Sequence, residues 1–112
     1  MRERLARRGP ARHERPAIDE AALIAARHGD RLLAAARERG ITRWADFLAL
    51  LPDRLRDDEV GSLRSVAMRA RAAYGPKDSV RDALPAELTE PFLESIDRLL
   101  RELARREAAS RE

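Results

Sequence analysis

The sequence predicts an all-α fold, a compact bundle of about five or six short-to-medium helices behind a basic, flexible N-terminal arm. Three observations carry this expectation. Apolar residues recur at helical spacing, as in Trp44, Phe47, Leu48 and Leu51, or Phe92, Ile96, Leu99 and Leu103. No segment alternates apolar and polar residues as a half-buried strand would. Glycine and proline punctuate the periodic stretches at Gly40, Pro52 and Gly75-Pro76.

Taken in order, residues 1–16 form the arm. It carries Arg2, Arg4, Arg7, Arg8, Arg12 and Arg15 against two glutamates, and Gly9, Pro10 and Pro16 interrupt any long helix. The helical domain is expected over residues 17–107. Asp19 is a good N-cap for a first helix. At His28-Gly29-Asp30 two readings stand: a break, with Asp30 capping a second helix from Arg31 to Arg39, or one helix over residues 19–39 that tolerates Gly29. The break is the favoured reading. Gly40 ends this region.

Thr42 is placed to cap a helix over residues 43–51 that turns Trp44, Phe47, Leu48 and Leu51 inward, a wedge for the other helices. Pro52 disfavours helical geometry at Leu51 and closes it. Residues 52–56 read as a loop or a single turn. Asp57 then caps a helix with Val60, Leu63, Ala67, Ala70 and Tyr74 on one narrow stripe, stopped by Gly75-Pro76. A short helix follows between Pro76 and Pro85, capped by Asp78 or Ser79 and pinned by Val80 and Leu84. The last helix is expected from about Thr89 to about Arg106, with Pro91 in its first turn. Its stripe of Phe92, Ile96, Leu99 and Leu103 is widened by Leu93, Leu100 and Ala104. Glu94/Arg98, Asp97/Arg101 and Glu102/Arg106 are spaced to pair along the helix. Residues 108–112 should fray.

Composition narrows the function classes. A chain of 112 residues suffices for one modest core. There is no cysteine, which removes disulfides, thiolate nucleophiles and thiolate metal sites. No apolar run is long enough to span a membrane, and the basic N-terminus lacks the apolar stretch of a signal peptide. A bacterial, cytoplasmic protein is the expectation. All 23 basic residues are arginine except Lys77. Residues 1–16 hold six of them against two acids; residues 17–112 hold 17 against 18 acids, so the positive charge sits in the arm.

No pattern supports catalysis. His13 and His28 have no carboxylates at ligand spacing, and Asp57-Asp58-Glu59 reads as a helix start, so no metal or cofactor is expected. No phosphate-cradling glycine loop and no G-x-S-x-G occurs. Phe92–Leu103 resembles the long first helix of the helical chorismate mutases. That chemistry requires Arg and Lys side chains around a dicarboxylate, which the short chain after Leu103 does not supply. Ala36, Gly40 and Ile41 are similar in spacing to a helix-turn-helix, yet Arg39 and Asp46 stand where that motif packs apolar residues.

The expected function is therefore a small non-catalytic helical interaction module. It acts through protein-protein contacts, as a self-associating chain or an accessory subunit, with Leu93, Leu100 and Ala104 as interface. The alternative is nucleic-acid binding through the arginines of the arm, supported by Arg64, Arg69, Arg71 and Lys77. Neither a membrane nor a small-molecule substrate is expected as partner.

Overall fold

Helix α1, Pro16–Glu38, is the element on which the others pack in the computed structural model, which describes residues 11–110. It is followed by α2 (Thr42–Leu48), α3 (Leu51–Asp57), α4 (Val60–Arg71), α5 (Val80–Ala83) and α6 (Ala86–Ser110), with 3-10 turns at Arg12–Glu14 and Ala72–Tyr74. No strand is present among the described residues. Helices α2, α3 and α6 contact α1, α4 lies against α3 and α6, and α5 packs on α6. The core is aliphatic: Leu32, Leu48, Leu55, Leu63, Val66, Ile96 and Leu99 are fully buried together with Phe92. Among the described residues no helix is long and apolar enough to cross a membrane.

The first correction concerns Gly29. It does not end a helix; α1 runs through it without a break. Gly29 is buried where α1 crosses α3 and α6. A Cβ there would lie 3.2 Å from Phe92 Cε1 and 3.3 Å from Pro52 Cγ. Glycine costs a helix about 1 kcal/mol against alanine, and the close crossing it permits offsets that cost. Asp30, read as a cap, instead pairs with Arg56 of α3. The start is also earlier than Asp19. Pro16 takes the first turn, where its missing N–H is no loss, and Asp19 accepts from Arg12 Nε at 2.7 Å. The end is as expected. Gly40 adopts φ +67°, its N–H bonds the Arg37 carbonyl at 3.1 Å, and Ile41 N–H bonds the Ala36 carbonyl at 2.9 Å, the paired closure of a Schellman motif.

Helix α2 is shorter than expected and begins at Thr42, whose hydroxyl caps nothing; the N-cap is Ile41. Trp44, Leu48 and Leu51 are buried and Phe47 is half-buried. The Trp44 and Phe47 rings meet edge to face at 5.4 Å. Residues 52–56 are helical and not a loop, because Pro52 opens α3 from its first turn and Leu51 and Leu55 bury one face at i, i+4. Asp57 therefore ends α3, and Glu59 is the N-cap of α4. The α4 stripe of Val60, Leu63, Ala67 and Ala70 is buried as expected, with Val66 added to it.

Ser79 caps α5: its Oγ accepts from Arg81 N–H at 3.1 Å, and Asp82 Oδ2 accepts from Ser79 N–H at 3.2 Å. Val80 and Leu84 are buried. Helix α6 starts at Ala86, three residues before the expected Thr89, so Pro91 lies inside it rather than in its first turn. One helical hydrogen bond is forfeited there. Full burial of Thr89 and Phe92 on either side holds the helix continuous. The expected ion pairs along α6 do not form; three of the six side chains pair elsewhere. Asp97 accepts from Arg71 of α4, Arg98 donates to Glu20 of α1, and Glu102 accepts from Arg105.

Candidate interaction surfaces

On α4, Arg64, Met68 and Arg71 fall at i, i+4 and i+7, one row of a helix. On α6, Leu93, Asp97, Leu100 and Ala104 form a second row by the same spacing. Arg71 Nη1 donates to Asp97 Oδ1 at 2.6 Å. Because this pair belongs to both rows, it lays them side by side. Met68 is 48 % exposed, Leu93 and Leu100 are half-buried, and Ala104 is exposed. Leu100 also packs on the core edge. The result is a mainly apolar strip along two helices, with Arg64 at one end.

The basic residues do not gather on this strip. Arg2, Arg4, Arg7 and Arg8 lie outside the described residues. Arg12 is held by Asp19 and by the Asp58 carbonyl, which accepts from its Nη1 at 2.6 Å. Arg15 is exposed and donates to the Glu14 carbonyl. Arg71 is paired with Asp97. Arg69 lies on the other flank of α4, its guanidinium 4.9 Å above the Phe47 ring, as Arg43 lies 4.8 Å above Trp44. Arg64 and Lys77 are exposed with no acidic partner among the described residues. The cations expected to act together thus point to different elements.

Concave features also mark the surface. One of about 390 Å³ lies beside the first half of α1, against His13, Asp19, Glu20, Leu23 and Arg27. A groove of about 570 Å³ opens between the start of α1 and the end of α6, with Pro16, Ala17 and Ile18 on one wall and Arg105, Arg106 and Ala109 on the other. A small cleft of about 110 Å³ lies at the α2–α3 corner beside Leu50. None of the three sets a hydroxyl or amine nucleophile beside a base, and no group of three or more metal-ligating side chains occurs among the described residues.

The titratable groups explain themselves structurally. Burial pushes the Tyr74 phenol up; its hydroxyl donates to the Thr89 carbonyl. The hydrogen bond from Arg81 holds the Glu90 carboxyl below its usual range, and it is bidentate, with both contacts at 2.9 Å. His28 is half-buried, and desolvation, then Arg31 and Arg27, lower its pKa below 6.5, with Glu94 opposing. The folded state therefore binds this proton less readily than the unfolded chain. The resulting stability is complete above 6.5 and is lost as pH falls through the lowered value. The urea midpoint of the wild type, measured against His28→Gln, should fall between pH 7.5 and 5; a constant difference contradicts the assignment.

Sequence reasoning missed Met68 and Leu50. Met68 stands off the α4 stripe, but so does Val66, which is buried; only the packing separates them. Leu50 stands off the face of Trp44, Phe47, Leu48 and Leu51, and spacing alone does not tell an uncovered side chain from one that a neighbouring helix covers. Comparison of the chain with protein-family models, with curated proteins and with solved structures finds no match.

Proposed function

We propose that the protein is a non-catalytic helical interaction module that binds protein through the α4–α6 strip. The observation that carries this reading is the Arg71–Asp97 pair, which joins Met68 to the ridge of Leu93, Leu100 and Ala104. Two adjacent helices that carry small and flexible apolar side chains on one face suit an amphipathic partner helix laid along that face. Methionine and alanine adapt to such a partner at low steric cost. Arg64, at the end of the strip, favours a partner with a carboxylate there. The reading covers self-association and an accessory role alike.

Site-specific photo-crosslinking tests it. A photoreactive residue at Met68 or Ala104 should yield one discrete protein adduct, and the same residue at Ala34, exposed on α1, should not. An adduct of twice the 12.7 kDa chain mass identifies self-association, and any other mass an accessory role. No adduct at Met68 and Ala104, or equal labelling at Ala34, contradicts the assignment. The nucleic-acid alternative draws on Arg64 and Lys77 and on the arm. A fluorescence titration at two salt concentrations, with and without residues 1–16, distinguishes it, because phosphate contacts are salt-sensitive.

A further inference from the structure

The corner between α2 and α3 carries a knob and a hole side by side. Leu50, in the turn, is 70 % exposed, against 48 % for Met68, and no other large apolar side chain among the described residues is exposed. Beside it lies the cleft lined by Asp46, Phe47, Leu50, Leu51, Arg54 and Arg69. At about 110 Å³ it is far below the volume of a small-molecule pocket, but it suits one aliphatic side chain. Its floor is Phe47 and Leu51, and its rim is charged.

Those rim charges are unevenly satisfied. Arg54 is paired with Asp58 at 3.1 Å. Asp46 and Arg69 line the same cleft, yet no ion pair joins them to each other or to any other described residue. One small surface thus holds an exposed apolar knob, an apolar hole, an anion with no ion partner among the described residues, and a cation held only by its stacking on Phe47. Such a surface is complementary to itself. A two-fold axis through it sets each feature opposite its counterpart, as an isologous contact requires.

The geometry points to a second copy of this chain as the occupant: Leu50 of each protomer enters the cleft of the other, and Asp46 of each meets Arg69 of the other. The contact lies on the α2 flank of α4, where Arg69 rests on Phe47. The strip lies on the α6 flank, where Arg71 reaches Asp97. Dimerisation at the corner therefore leaves both strips open and presents two copies of them in one assembly, which raises avidity for a repeated partner without new contacts. The inference stands without the strip reading, since none of its residues is shared. Two seven-residue helices offer a small interface, so the association belongs to the weak, transient class.

Analytical ultracentrifugation of the full chain over a concentration series is the test. The average mass should rise from 12.7 kDa towards twice that value. Leu50→Asp should stay at the single-chain mass throughout, with unchanged thermal unfolding, since the side chain is exposed. Asp46→Arg and Arg69→Asp should each weaken association by at least about tenfold through like-charge contacts. Combined in one chain they should restore it, because the pair re-forms with its signs exchanged. A single-chain mass at every concentration, a dimer that survives Leu50→Asp, or a double variant as weak as the single ones would overturn the proposal.

Discussion

Phe92→Ala is expected to destabilise the protein by ~3–5 kcal/mol, the usual cost of deleting a buried aromatic side chain. The reason lies in its position. Phe92 is fully buried and its ring edge rests in the notch above Gly29, beside Pro52. Three helices meet there, α1 by Gly29, α3 by Pro52 and α6 by Phe92 itself. Truncation leaves a cavity that no neighbour can close, since the backbone of α1 is already the floor of the notch. A total stability of roughly 5–15 kcal/mol is typical of such domains, so much of the margin is lost. Urea denaturation followed by far-UV circular dichroism reads the effect directly. A change below about 1 kcal/mol would mean that the crossing is looser than its contacts indicate.

Gly29→Val is expected to cost about 1–3 kcal/mol by overpacking the same notch. On an exposed helix the substitution would be close to neutral or mildly favourable, because valine is a better helix former than glycine. Here the added Cβ alone lies 3.2 Å from Phe92 Cε1 and 3.3 Å from Pro52 Cγ, and valine adds two methyl groups beyond it. The opposed expectations make the measurement decisive. Stabilisation would show that Gly29 is tolerated rather than required. A double-mutant cycle with Phe92→Leu sharpens it: residues in contact couple, so the pair should cost less than the sum of the two single changes.

The local grammar of the chain was legible in its sequence. Gly40 closes α1 and Ser79 opens α5 because a left-handed residue and a side-chain cap act within four positions of themselves. The stripes Val60, Leu63, Ala67, Ala70 and Phe92, Ile96, Leu99, Leu103 lie inside because helical spacing alone puts them on one face. Pro52 shows the limit of such reasoning. A proline signals both the end of one helix and the start of the next, and only the second meaning places residues 52–56. The ridge Leu93, Leu100, Ala104 was likewise visible as a widened arc, but Met68 beside it was not.

An all-α chain, its aliphatic core stripes and its principal turns all follow from the order of the residues. These depend on interactions between residues a few positions apart, and spacing encodes them. Tertiary structure alone decided that α1 passes unbroken through Gly29, because the cause is Phe92 and Pro52, far along the chain. It alone gave Arg71 to Asp97 and sent Arg69 to the opposite flank over Phe47, dividing one apparent cluster of cations between two surfaces. It also left Leu50 outside and its cleft open. Which charges are already satisfied, and which apolar side chains remain uncovered, are properties of contacts between distant segments, and the candidate surfaces of this protein consist of those remainders.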